Sequence, residues 1–315
     1  MNAYDKSGAV IADNYGRSLM DYTYTYDGGA PDTRKHGYNV AQGIVYAAHD
    51  RSSGGTQGYW ARQGAAVSNG VLFQGISGTN LGDMLALYNH ATGAFIATVS
   101  CPVGHGSTMS FSDEYYASGD EFPLLYAWSG GAINAIRMTR SSGTAVRRLL
   151  RDGTDKNTDQ FVVDPANRRI ITSVTKISGD WAGAQAGDRQ IITVYDMDDL
   201  TPTENADEYT MAKIDQYELP VIQANQGMCF LNGLVYILSS ADTVYRTQYG
   251  LHTAWLYVLD PYARRYQAIF KAFPQDVAEA ENEAVVPRYN SATGLYDLEL
   301  ITVHQSARSA LVQLR

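Results

Sequence analysis

Cysteine is scarce. The 315-residue chain has two, Cys101 and Cys229, far apart and without metal-ligand spacing. Each lies in or beside an apolar run, which predicts buried free thiols rather than a disulfide and leaves the redox compartment open. Positive charge is short as well: 24 Lys and Arg stand against 33 Asp and Glu, a formal net charge of −9. With no compact Lys/Arg run to offset it, this balance argues against binding nucleic acid or an anionic membrane surface. The opening residues, MNAYDKSGAV, carry neither a basic region nor an apolar stretch, so no cleavable signal peptide is expected. No apolar run approaches the roughly 18 residues of a membrane-spanning helix, so no membrane insertion is expected either.

Several chemistries lack their residues. There is no His-Glu-x-x-His helix, EF-hand loop or phosphate-binding glycine loop. Gly106-Ser107 lacks the flanks of a nucleophile elbow, and no Ser/His/Asp set can be assembled. His36, His49, His90, His105, His252 and His304 show no ligand spacing, so neither metal nor cofactor is expected.

What the chain does have is strand grammar. Hydrophobic residues make up 45% and charged residues 18%, ordinary for a soluble globular protein. Short runs of Val, Ile, Leu and Tyr alternate with Gly, Asn and Asp, and long helical periodicity is absent. Tyrosines number 23 against 8 phenylalanines. Tyrosine can be half buried with its hydroxyl wet, which suits a polar-ligand surface, and it is equally a common strand former.

Two stretches are near copies: QGAAVSNGVLFQGIS from Gln63 and QGMCFLNGLVYILSS from Gln226. Each opens Gln-Gly, reaches Asn-Gly six residues on and enters an apolar run. Asn-Gly predicts a hairpin turn with positive φ, and Gly after Gln predicts a tight turn into the strand. Hairpins fill the interval: DMLALYNHATGAFIATVS, AINAIRMTR with TAVRRLL, and TDQFVVDPANRRIITSVTK. About four strands per unit of roughly 40 to 65 residues is the pattern of a β-propeller blade. Starts at Gln63, His105, Asp159, Gln226 and Glu281 predict five four-stranded blades in an all-β fold. AQGIVYAAHD, residues 41–50, carries another Gln-Gly and leaves a sixth blade as the alternative. Closure of the fifth blade is expected from SALVQLR and a strand near residues 38–50. Residues 1–35 would then form an N-terminal arm or linker and 36–315 the propeller domain.

The ordered phrases Gln-Gly at 63 and 226, Gly-His-Gly at 104–106 and Glu-Ala-Glu at 279–281 resemble a set of propeller domains. These occur in phage tail and baseplate-associated proteins and in bacterial surface or secreted proteins. Helveticin-type bacteriocins look similar in the same respect. The resemblance spans residues 60–315 through motifs of two or three residues. Asn282 stands where the pattern has Gly, and Thr158-Asp159-Gln160 where it often has His. The resemblance implies an extracellular or virion-associated protein whose partners are surface glycans and other tail or surface proteins.

A ring of Gln63, His105, Asp159, Gln226 and Glu281 would place polar groups around one opening. Such groups bind a sugar or cation, or simply satisfy strand-end backbone. Glu279, Glu281 and Glu283 alternate, so they share one face of a strand or form a solvated strand start. A glycan-cleaving hydrolase would need a carboxylate pair, for which Asp159 with Glu281 is the pair to name. Trp60 and Trp181 lie in Gly-rich stretches and are candidate sugar-stacking platforms, or loop residues tucked back on the protein. Arg147, Arg148 and Arg151 with Arg168 and Arg169 are the densest basic positions, expected to protect an exposed strand edge; an anionic glycopolymer site is the alternative. The favoured function is a non-enzymatic module recognising a cell-surface glycan or glycopolymer, in a phage tail or similar apparatus. A hydrolase and a secreted helveticin-like antibacterial protein are the alternatives.

Overall fold

The computed structural model describes residues 3–4, 10–12, 38–45, 60–78, 81–151, 160–176, 189–220, 225–239, 252–275, 282–302 and 308–314. Among these the fold is all-β, without a helix. Strands β1 (Ala3–Tyr4) and β2 (Val10–Ala12) pair with each other, and β3 (Tyr38–Val45) is the next strand. Then come β4 (Trp60–Ser68), β5 (Val71–Gly78), β6 (Leu81–Asn89) and β7 (Phe95–Ser100), one antiparallel sheet in chain order. A second group is β8 (Met109–Phe111), β9 (Leu125–Ser129), β10 (Ala132–Met138) and β11 (Gly143–Arg151). A third is β12 (Phe161–Asp164), β13 (Arg169–Lys176), β14 (Arg189–Pro202) and β15 (Glu208–Pro220). The fourth is β16 (Asn225–Leu231), β17 (Leu234–Ser239), β18 (His252–Asp260) and β19 (Arg265–Gln275). The last holds β20 (Asn282–Asn290), β21 (Leu295–Thr302) and β22 (Arg308–Leu314).

Strand β3 completes the last group by pairing antiparallel with β22, Val40 opposite Val312. Residues 41–45 therefore belong to the last group's four-stranded sheet rather than start a group of their own. The second and third groups do not stay separate: β11 and β15 pair in parallel, giving one eight-stranded sheet. Register shifts in the long β14–β15 hairpin let the start of β15 reach β11. There Arg148 Nε meets Glu208 Oε2 at 2.9 Å.

The first strands of the five groups touch in cyclic order: β4 with β8, β8 with β12, β12 with β16, β16 with β20, and β20 with β4. Strand β4 also approaches β16, the strand bearing the second copy of its opening phrase. Apolar cores lie between successive groups. Val71, Phe73, Leu85 and Leu87 pack on Phe122, Leu125 and Ile136, while their neighbours Leu72, Ile76 and Ala86 pack on Ala284, Val286 and Ile301. Alternate residues thus face opposite neighbours, and both faces are buried. That is why these strands read as continuous apolar runs rather than alternating ones.

The turns obey local chemistry. Asn69-Gly70 and Asn232-Gly233 have φ of 47° and 73°, and 52° and 82°, as a two-residue hairpin requires. Asn89 and Asn290 open matching Asn-x-Ala-Thr-Gly turns, each side chain accepting from backbone N–H groups inside the turn. Asp164 and Asp260 do the same in Asp-Pro turns, with Arg168 and Arg264 at φ of 51° and 55°.

Candidate functional site

Three of the five first strands begin with an irregularity. On β4, Arg62 pairs with Ile76 and Ala65 with Gln74, so Gln63 and Gly64 together face Gly75. On β16 the extra residue is Gln226, and on β20 it is Glu283. The Gln-Gly phrase therefore writes a β-bulge. Gly64 also allows a close approach: a Cβ there would lie 2.1 Å from the Ser107 carbonyl oxygen.

The five expected ring residues are distributed along these strand starts. Gln63 is buried in β4, and its carbonyl oxygen accepts from Gln74 Nε2. His105 is exposed on the connection before β8, between Gly104 and Gly106, both at positive φ. Gln226 is half-buried at the bulge of β16. Asp159 and Glu281 lie outside the described residues, as do Trp181 and the side chain of Trp60. Beside Asp159, Gln160 is buried and accepts a 2.8 Å bond from Thr108 Oγ1. Gln190 Nε2 donates to Ser173 Oγ at 2.7 Å, and Ser173 N donates to the Gln160 carbonyl at 3.0 Å. Most of these described polar groups bond one another or the backbone, while Gln74 Oε1 and Asn225 Oδ1 are buried without a hydrogen-bond partner among the described residues. No group of three or more His, Cys, Asp and Glu suited to a metal occurs among the described residues.

The described residues present a different surface at the turn end of the sheets. Between β8 and β9 the chain makes a long excursion, residues 112–124. With Asn69 it lines an open cleft of about 600 Å³: Tyr115, Tyr116, Ala117, Ser118, Gly119, Asp120 and Glu121. Tyr115 and Tyr116 are 48% and 56% exposed, although neighbouring apolar side chains in the same sheet are buried. Two ion pairs hold the cleft side of the excursion, and Glu114 anchors its start to Arg147 and Arg168. Arg137 on β10 grips Asp120 through Nη2–Oδ1 at 2.6 Å and Nε–Oδ1 at 3.1 Å, while Ala117 N donates to Asp120 Oδ2 at 3.0 Å. Arg140 grips Glu121 through Nε–Oε1 at 2.8 Å and Nη2–Oε1 at 2.5 Å. Asn69 Nδ2 donates to the Glu121 carbonyl, tying the first sheet's turn to the second sheet's excursion. The Arg137 guanidinium also lies 5.2 Å from the Tyr116 ring centroid and backs that ring.

Hydrogen bonding to Arg137, ahead of the opposing desolvation, holds the Asp120 carboxyl below its ordinary value. A lowered folded value stabilises above the unfolded carboxyl range and is lost as pH falls through the folded one. We expect the 112–124 excursion to keep its order through the ordinary carboxylate range and to loosen only below it. Amide hydrogen exchange at residues 115–121 across an acid titration checks this; loosening at the ordinary Asp value would contradict the pairing.

The basic cluster is paired. Arg147 and Arg168 meet Glu114 at 3.2 and 3.4 Å, and Arg168 also meets Asp198 at 2.5 Å. Arg169 meets Asp196 at 2.7 Å, and Arg151 lies 4.7 Å from the Trp128 ring centroid. Because β11 pairs with β15 from Arg148 to Arg151, Arg148 and Arg151 do not guard an open strand edge.

The tyrosine cleft is absent from the expected site residues. Its signal was the run Asp-Glu-Tyr-Tyr-Ala-Ser-Gly-Asp-Glu, 113–121, in a chain rich in tyrosine.

No protein-family model and no curated protein matches the chain. Among solved structures it is similar to the tail fiber of Staphylococcus aureus phage P68, at 13% identity and a TM-score of 0.48. The match covers 87% of this chain and 52% of the fiber chain, so the chain spans about half of that protein's length.

Proposed function

We propose that this chain is a non-enzymatic binding module that recognises a cell-surface glycan or glycopolymer, in a phage tail or comparable attachment apparatus. We read its sheets as the blades of a five-bladed β-propeller, with residues 1–35 as an arm. The attachment setting rests on the resemblance of the strand-opening phrases, and other tail or surface proteins would be its partners. What supports recognition most directly is the cleft at 115–121. Two adjacent exposed tyrosines line it together with Ser118 and Asn69, on an excursion held by two two-pronged arginine pairs. Aromatic faces pack against the apolar face of a pyranose, and a preorganised platform loses little entropy on binding. The polar ring at the bulged strand starts is a second candidate contact, through Gln63, His105, Asp159, Gln226 and Glu281, with Trp60 and Trp181 nearby in sequence.

One shallow site of this kind gives affinities of about millimolar to micromolar, raised by repetition in an assembly. The test is a glycan array and cell-binding assay with product analysis. Tyr116→Ala is expected to weaken binding about tenfold, the loss of one aromatic contact of about 1.4 kcal/mol. Its unfolding midpoint should stay near that of the parent chain. Binding should survive Asp159→Asn and Glu281→Gln with no sugar released. Released oligosaccharide that vanishes in either of those variants would replace this reading with a hydrolase.

A further inference from the structure

We infer that the sugar taken by the Tyr115–Glu121 cleft is an uncharged pyranose; this rests on the glycan reading above and names its substrate class. The chain as a whole carries a formal charge of −9, and four acids lie on the excursion: Asp113, Glu114, Asp120 and Glu121. Counted charge alone points to a cationic amino sugar as the ligand for such a surface. The side-chain geometry argues otherwise.

The two carboxylates that line the cleft are committed. Asp120 accepts from Arg137 on both oxygens, Nε lying 3.1 Å from Oδ1 and 3.2 Å from Oδ2, and takes the Ala117 amide as well. Glu121 is gripped by Arg140 on both oxygens, at 2.8 and 3.1 Å from Nε. Behind them, Glu114 is shared by Arg147 and Arg168. An ammonium group entering the cleft meets a guanidinium beside each carboxylate, and a carboxylate or phosphate meets the carboxylates. Either ion loses hydration without gaining an unshared partner.

What remains in the cleft is neutral and of mixed character. The hydroxyls of Tyr115, Tyr116 and Ser118 both donate and accept. Asn69 gives one Nδ2 N–H to the Glu121 carbonyl, which leaves its second N–H as a donor and its Oδ1 as an acceptor. Arg137 backs one face of Tyr116, and the ring is still 56% exposed. A pyranose matches this set, with an apolar face for the ring and hydroxyls for the rim. The cleft's charged groups hold its shape, and its contacts to ligand are neutral.

The full chain is titrated calorimetrically with three probe classes at low and high salt. They are neutral gluco-, galacto- and N-acetylglucosamine oligomers, glucosamine oligomers, and polygalacturonate with a sialylated oligosaccharide. We expect at least one neutral oligomer to bind, with an affinity that changes less than about twofold between low salt and about 0.5 M, where exposed charges are screened. That binding should fall about tenfold in Tyr116→Ala. Arg140→Gln supplies the second arm, because both members of its pair are about half exposed and the fold should tolerate the change. It frees the Glu121 charge while Arg137 still holds Asp120, so neutral-oligomer binding should persist as the sign of an intact cleft, and glucosamine oligomers should then bind with marked salt sensitivity. Charged probes binding the parent chain while neutral ones do not would overturn the inference and leave the glycan reading standing. So would an Arg140→Gln chain that gains no affinity for glucosamine oligomers. A parent chain that binds no probe and no cell surface would instead remove the glycan reading itself.

Discussion

Gly64→Ala is expected to destabilise the chain by about 3 kcal/mol or more, the upper range for a substitution that forces backbone apart. The added Cβ would sit 2.1 Å from the Ser107 carbonyl oxygen, 2.5 Å from its carbon and 2.7 Å from the Gly106 oxygen. All three are backbone atoms, so no rotamer change relieves the clash. The same contact is made from both sides. A Cβ on Gly75 would meet the Gly106 oxygen at 2.7 Å, and one on Gly106 would meet the Gly75 Cα at 3.0 Å. Three glycines thus let the connection before β8 lie directly on β4 and β5, joining the first two sheets. Gly70→Ala is the control: its Cβ meets nothing within 4 Å, and only the φ of 73° opposes it. That strain alone costs about 1–2 kcal/mol. Urea unfolding of both variants measures the difference, and a Gly64→Ala chain as stable as Gly70→Ala would refute the interlock.

Arg288→Ala is expected to cost about 3 kcal/mol, the low end of the range for removing one partner of a buried ion pair, because His90 stays hydrogen-bonded to the same carboxylate. Glu299 on β21 is fully buried. Its Oε2 lies 3.2 Å from Arg288 Nη1 and 2.9 Å from His90 Nε2. Arg288 Nη2 also donates to the Ala91 carbonyl at 3.3 Å, so one side chain ties the fifth sheet to a turn of the first. Removing the guanidinium takes one charged partner from a buried carboxylate that keeps His90, beside an apolar seam that includes Val286 and Tyr88, both buried in the core that joins these sheets. Arg288→Lys keeps the charge without the two-way reach and should fall between the parent and the alanine variant. Thermal and urea unfolding at neutral pH read the ranking. A loss below about 1 kcal/mol in Arg288→Ala would mean the seam does not depend on this pair.

Much of the fold can be read in particular residues. Asn69-Gly70 and Asn232-Gly233 announce their hairpins because positive φ is a local demand that few residues meet. The apolar runs VLFQGI and GLVYILS announce strands buried on both faces. The fifth sheet's closure was legible because its last hairpin and SALVQLR make only three strands, and the run near residues 38–50 supplies a fourth. The fusion of β11 with β15 was not legible, since it depends on how the long β14–β15 hairpin bends. Gln-Gly was visible as a repeat, but its meaning was not: a bulge in both copies and, at Gly64, a backbone contact with Ser107. His105 belongs to the Gly-His-Gly connection that Gly64 and Gly75 receive, so a phrase read as a strand start marks a backbone crossing.

The all-β class and the turns were settled within the sequence, because they depend on side-chain alternation and dihedral preference over a few residues; which strands share a sheet was not, as the fused eight-stranded sheet shows. The surface that can recognise a ligand came only with the tertiary arrangement. Asp-Glu-Tyr-Tyr-Ala-Ser-Gly-Asp-Glu has no local reason to be more than a polar loop. It becomes a cleft when Arg137 and Arg140 reach it from beyond β9, and when Asn69 donates to Glu121 across 52 residues of chain. Charge pairing depends on where guanidinium and carboxylate groups meet in space, and composition, which counts the same groups, carries no record of it.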